Sequence, residues 1–214
     1  IFIGSNAGIY NTTGINNLFI GDQSGWANTI GYSNLFMGKS AGYNNNIGYE
    51  NIFIGYEAGL KSGNGVNAHG NTFIGYWAGY ENIDGFDNIF MGIYAGVFNV
   101  SGNNNLCLGT NTGHDNRYGC ENVFLGASAG YYFNGGNNPP NLSIDITGSR
   151  NVCIGAFAGY GYDTGVTNSH ENVYVGPYAG AQHRQSYNNV CLGSYSGYWM
   201  GDGHDNIFLG LAAG

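Results

Sequence analysis

The sequence predicts an all-β fold, a parallel β-solenoid (β-roll) of about twelve 17-residue repeats with three loop insertions. Three observations carry that prediction. A nine-residue motif recurs throughout: Asn, apolar, aromatic or Cys, apolar, Gly, two variable residues, a small residue, Gly, with its clearest copy at Asn51–Gly59. The step between copies is 17 residues wherever no loop is enlarged. Finally, 40 of the 214 residues are Gly, too many for helix interiors to survive.

The first motif Gly falls at Gly4, Gly21, Gly38, Gly55, Gly75, Gly92, Gly109, Gly126, Gly155, Gly176, Gly193 and Gly210. Each copy holds a three-residue run of Ile, Phe, Leu or Val bounded by Asn and Gly, which reads as a short strand. The two motif Gly are expected at φ > 0 corners or where backbone meets backbone. The small column, including Ala41, Ala58, Ala78 and Ala95, belongs inside a tight bend. The motif Asn residues are expected to stack as an amide ladder, each bonding the next coil. A second pattern in the connecting loops, Asn11/Gly14, Asn28/Gly31, Asn45/Gly48 and Asn82/Gly85, reads as turns whose Asn and Gly supply left-handed conformations. Insertions near 60–70, 131–150 (with Pro139 and Pro140) and 160–171 map to loops of the array. The chain opens inside a motif at Ile1 and closes one at Gly214, so 1–214 reads as a single repeat domain and a section of a longer array.

Acids precede the motif Asn at Glu50, Asp87, Glu121, Glu171 and Asp205, in every second copy from the fourth to the twelfth. One motif per coil sets them two coils apart and relieves their repulsion, and is the favoured register. Two motifs in one larger coil would stack them directly and call for a cation between them.

Side chains alternate along a strand, so motif positions two and four share one face and position three takes the other. The pairs Leu18/Ile20, Leu35/Met37 and Ile52/Ile54 are expected to fill the interior. Position three, which includes Phe19, Phe36, Phe53, Phe73, Phe90, Phe124, Tyr174 and Phe208, is then a Phe-rich stripe on the outer face. A stripe of that length exceeds the apolar patch that a soluble monomer tolerates, so these residues are the expected assembly face. The alternative is a coil wide enough to bury both faces itself.

The Asn-apolar-x-apolar-Gly unit, as in NIFIG from Asn51 to Gly55, resembles the head repeats of YadA-like trimeric autotransporter adhesins and related tail-fibre-like surface repeat proteins. The likeness covers essentially the whole chain, with a longer period and a Phe where the family carries a small residue. The resemblance implies a parallel β-roll assembled as a homotrimer.

Composition narrows the chemistry. With 8% charged residues, five Lys and Arg together and a net charge of −8, the chain lacks the basic surface that nucleic acid requires. No apolar run is long enough to enter a bilayer as a helix. Cys107, Cys153 and Cys191 replace Phe at position three and read as small buried hydrophobes, with Cys120 in a loop. The five His (His69, His114, His170, His183 and His204) read as solvated loop residues, and no metal or cofactor set and no catalytic constellation emerges. An enzyme is not expected. The aromatics form two columns: Trp26, Tyr43, Tyr80, Tyr131, Tyr160 and Tyr198 after the last motif Gly, and Trp77, Tyr94, Phe157, Tyr178 and Tyr195 beside them. Rung-to-rung stacking, partner packing and sugar binding all suit such columns. The expected function is a non-enzymatic, extracellular fibrous protein of a surface adhesin or filament, self-associating through an apolar strand face as a homotrimer or filament. The alternative is a glycan-binding adhesin head or phage-type tail fibre that meets a glycan or host cell surface.

Overall fold

A computed structural model describes residues 1–64, 68–133, 148–161 and 169–214. Pro139, Pro140 and most of the two longer insertions lie outside these residues. Two compact units result, Ile1–Asn104 and Asn105–Gly214. The first contains β1 (Phe2–Ile3), β2 (Leu18–Ile20), β3 (Leu35–Met37), β4 (Ile52–Ile54), β5 (Thr72–Ile74) and β6 (Ile89–Met91). The second contains β7 (Leu106–Leu108), β8 (Val123–Leu125), β9 (Val152–Ile154), β10 (Val173–Val175), β11 (Val190–Leu192) and β12 (Ile207–Leu209). Within each unit successive strands pair in parallel, and equal motif positions face each other: Phe19 with Phe36, Phe36 with Phe53, and Tyr174 with Cys191. One motif therefore makes one coil, and the fold is a parallel β-solenoid. The insertions leave the register untouched, since Phe53 still meets Phe73 and Phe124 still meets Cys153.

Hydrogen bonds running from coil to coil hold the stack. The Asn17 Oδ1 accepts the backbone N–H of Asn34 at 2.9 Å, and the Asn34 Oδ1 accepts that of Asn51 at 3.0 Å. The same side chains donate through Nδ2 to a glycine carbonyl of the next turn, as Asn34 does to Gly48 at 2.8 Å. A buried amide is thus used on both ends, which offsets its desolvation. The second unit repeats the device, with Asn172 accepting from the backbone N–H of Asn189 at 3.0 Å. At the bend the small column is buried, and the Gly42 N–H donates to the Ala58 carbonyl at 2.9 Å.

Both motif glycines are left-handed, as in Gly38 (φ 132°) and Gly42 (φ 59°). A Cβ on Gly38 would run into the backbone of Gly55, and one on Gly42 into the Phe36 ring. The loop pairs differ from expectation. Neither Asn28 nor Gly31 is left-handed; Asn28 is buried and its Nδ2 donates to the Gly31 carbonyl at 3.2 Å and to Asn11 Oδ1 at 2.6 Å. Some of these slots are joined by side-chain bonds, Asn28 to Asn11 and Asn99 to Asn82, whereas the Oδ1 atoms of Asn28 and Asn45 have no partner among the described residues. The Gly of the pair is required because a Cβ at Gly31 would collide with Asn28 and the next coil. The left-handed duty falls instead on the residue before the motif Asn (Ser33 φ 55°, Glu50 φ 55°) and on motif position seven (Ser40 φ 55°, Glu57 φ 52°).

The faces of the strand are inverted relative to expectation. Phe19, Phe36, Phe53, Phe73, Phe90, Phe124 and Tyr174 are buried within the coil stack, and Phe208 in the last coil is half-buried. They are core residues and cannot form an assembly face. The rings of the first unit lie 4.8–5.0 Å apart and within 10° of parallel. The cause is the size of the coil. A turn this short has room for one large side chain, and alternation places position three on the same side as the Asn whose amide must be inside to bond its neighbours. Positions two and four are left facing out.

Candidate functional site

The outward strand face is the first candidate. Positions two and four are aliphatic or Met in every coil except for Thr72. They are half-buried to exposed; away from the first and last coils they reach 41% exposure at Ile89 and 40% at Met91 in the first unit and 39% at Leu192 in the second. No charge interrupts either column. Parallel sheets are ordinarily covered on both faces, so an uncharged apolar strip on one is an unpartnered surface.

The second candidate lies at the bend, where motif position seven and the residue after the last motif Gly approach each other. Part of this region is simple rung-to-rung stacking. Trp26 and Tyr43 are 4.8 Å apart and 2° from parallel, while Phe157, Tyr178 and Tyr195 form a stack with 4.9 Å steps. Tyr160 and Tyr198 lean against that stack, with Tyr160 5.6 Å from Phe157 and Tyr198 5.5 Å from Tyr195. Coils five and six are different. Trp77 lies 4.8 Å from Tyr80 and 5.4 Å from Tyr76, and Tyr94 stands edge-on to Trp77 at 83°. Tyr56 stacks on Tyr76 at 5.1 Å, and its phenol pKa is raised by the hydrogen bond it donates to Glu57 and by that carboxylate's charge. Lys61 pairs with Glu81 at 2.7 Å and sits over the Tyr80 ring.

Position seven is left-handed in every coil, and its aromatic occupants obey: Trp77 φ 56°, Tyr94 φ 57°, Phe157 φ 58°, Tyr178 φ 58° and Tyr195 φ 58°. Left-handed backbone costs a residue with a Cβ about 1–2 kcal/mol, and bulky side chains are rare there. Sequence reasoning found these columns but not their backbone, because a short motif carries no mark of handedness where Asn, Ser and Trp alternate.

The remaining chemistry is structural. His183 is buried rather than solvated: its Nδ1 contacts the Gly180 carbonyl at 2.8 Å, its Nε2 has no partner among the described residues, and desolvation lowers its pKa to about 4. It occupies the loop slot that Asn28 and Asn82 fill elsewhere, three residues after the last motif Gly, a correspondence the sequence contained. His69 stacks between Tyr49 and Phe86, and Tyr187 stacks with both His170 and His204, so these too are rungs rather than free loop groups. His114 stacks on Tyr131 at 4.3 Å and contacts Asp115 at 2.7 Å. Cys107, Cys153 and Cys191 are free, buried thiols whose pKa values desolvation raises, that of Cys191 to about 12. Among the described residues no three His, Cys, Asp or Glu side chains are grouped to hold a metal ion. The acids before the motif Asn do lie two coils apart. In the second unit Arg150 sits between Glu121 and Glu171 and pairs with the latter at 2.9 Å.

Comparison with known protein families, with curated proteins and with solved structures gives no match to this chain. No helix among the described residues is long and apolar enough to cross a membrane.

Proposed function

We propose that this chain is a non-enzymatic, extracellular fibrous protein of a surface adhesin or filament that self-associates through its outward strand face. The observation that carries the reading is the uncharged strip of positions two and four, half-buried to exposed along each unit. A partner for such a strip must itself be apolar and free of charge, and the chain's own strip has those properties. A second copy is therefore the occupant. The resemblance to head repeats of trimeric adhesins supports the same reading, with three copies sharing their strips, and the low charge of the chain agrees with surfaces that are covered in the assembly.

The test is the oligomeric state. Sedimentation velocity and electron micrographs of the wild-type chain are expected to show trimers or filaments, and the double substitution Ile52→Asp with Ile89→Asp is expected to give monomers. Both side chains are exposed, so far-ultraviolet circular dichroism should be unchanged. A wild-type chain that stays monomeric at high micromolar concentration would overturn the proposal.

A further inference from the structure

We propose that the cluster of Tyr76, Trp77, Tyr80 and Tyr94 is a carbohydrate-binding site that takes a neutral, linear oligosaccharide. The first ground is its locality. A surface used to join copies of a periodic fibre repeats in every coil, as the strand face does. Position seven does not: it is aromatic at Trp77 and Tyr94 and again at Phe157, Tyr178 and Tyr195, which stack on one another, but holds Asn6, Gln23 and Ser40 in the first three coils and Asn111 and Ser128 in the second unit. The fold therefore accepts small polar residues in this slot, and these suit its left-handed backbone better than Trp77 or Tyr94 do. Aromatic residues are placed here against the local backbone preference, and strain of that kind concentrates where a side chain serves something other than folding.

Parallel stacking joins Tyr76 to Tyr56 and to Trp77, but it does not account for Tyr94. The interior Phe rings lie within 10° of parallel, but Tyr94 is turned 79° from Tyr76 and 83° from Trp77. A ring met edge-on by its neighbour keeps a face which that neighbour does not cover. Tyr76 is 40% exposed, and Trp77, Tyr80 and Tyr94 are half-buried, so the cluster is reachable, although the Trp77 Nε1 itself is buried.

The chemistry around these rings selects the ligand. The cluster contains an indole and phenols and no Phe, so each ring joins an apolar plane to a polar tip. Glu57 and the Lys61–Glu81 pair lie beside the rings and supply acceptors and a donor. A pyranose has the matching surface: a face of C–H groups that lies on an aromatic plane and an edge of hydroxyls that bonds carboxylates, phenols and an ammonium. Lys61 is already neutralised by Glu81 and Glu57 adds negative charge, which disfavours acidic glycans. The rings lie in coils five and six, and Glu57 and Lys61 extend the site to coil four, so it meets more than one sugar unit of a chain laid along the coil axis.

The experiment titrates the wild-type chain with cellohexaose, chitohexaose, xylohexaose and mannohexaose, with hexagalacturonate as the acidic control, reading calorimetry and tryptophan emission. At least one neutral hexaose is expected to bind saturably. The double variant Trp77→Ser with Tyr94→Asn carries residues the same slot holds in other coils, so it should melt no lower than the wild type while binding at least about tenfold more weakly. Tyr76→Ser, at an exposed position, repeats the test if the double variant fails to fold. Absence of binding by every neutral hexaose, preference for hexagalacturonate, or unaltered binding by the folded variants would overturn the proposal. The site does not depend on self-association: the Ile52→Asp, Ile89→Asp chain is expected to bind the same sugar, so loss of assembly and loss of sugar binding are read separately.

Discussion

The two units build the same coil from different interiors. In Ile1–Asn104 position three is Phe in every coil, and the loop slot facing it is Asn11, Asn28, Asn45, Ser62, Asn82 or Asn99. In Asn105–Gly214 position three reads Cys107, Phe124, Cys153, Tyr174, Cys191 and Phe208, and the loop slot includes Asn116, Phe133, His183 and Met200. Bulk has moved from strand to loop. Where Cys153 leaves room, the Phe133 ring reaches in from the coil below and lies 5.2 Å from Phe124 and 4.8 Å from His183. The fold thus fixes the filled volume of the stack and leaves open which column fills it, as close-packed cores generally do. The first unit fills it by repetition, the second by coil-specific interlock.

The largest test of that difference is a pair of truncations. Phe53→Ala removes a whole ring from an uninterrupted stack and is expected to cost about 3–5 kcal/mol. Cys153→Ala, where Phe133 already shares the space, is expected to cost under about 1.5 kcal/mol. Hydrogen exchange resolved by unit measures both; equal losses would break the comparison.

A second test uses acid. His183 is the loop-slot residue that exchanges an amide for a titratable ring, and its folded pKa of about 4 lies below the ordinary 6.5. Between those values the unfolded chain binds the proton and the folded chain does not, so stability falls as pH drops from about 6.5 to about 4 and levels off below. The gap corresponds to about 3 kcal/mol. Denaturation of the wild type at pH 7 and pH 4.5, compared with His183→Asn, is expected to show a steeper acid loss in the wild type, reported by amides of 169–214. Parallel pH profiles would sink the assignment.

The smallest effect concerns the charges on the rim. In the first unit Gly70 lies between Glu50 and Asp87, whereas in the second Arg150 lies between Glu121 and Glu171. The Arg150–Glu171 pair is exposed, so Arg150→Ala is expected to lower stability by less than about 1 kcal/mol, and less still in high salt. Melting curves at two ionic strengths check it.

The 17-residue step and the Asn–Gly frame made the solenoid, the one-motif coil and the amide ladder legible from sequence alone. The inverted strand was legible too, in hindsight of a physical kind. Asn at position one and Phe at position three share a face, so an Asn ladder inside places Phe19 and Phe53 inside with it. What sequence could not display is the coil's width, which decides whether Ile52 and Ile54 also find room. Nor could it display handedness at position seven, since Ser40 and Trp77 look equally ordinary in a string of letters. The left-handed backbone at position seven is common to every coil, and what sets Trp77 and Tyr94 apart is the edge-on ring of Tyr94.

The coil-to-coil hydrogen bonds have a mechanical consequence. Those joining Gly42 to Ala58 and Asn34 to Asn51 run along the stacking direction within the first unit. Tension applied along that direction loads one layer of bonds at a time rather than shearing many at once. A coil that yields releases 17 residues of chain, roughly 55 Å of new length for a rise of about 4.8 Å lost. Each unit would then lengthen in steps under pull, equal ones except where a coil carries an insertion, a shock absorber whose stroke is set by the period of its own sequence.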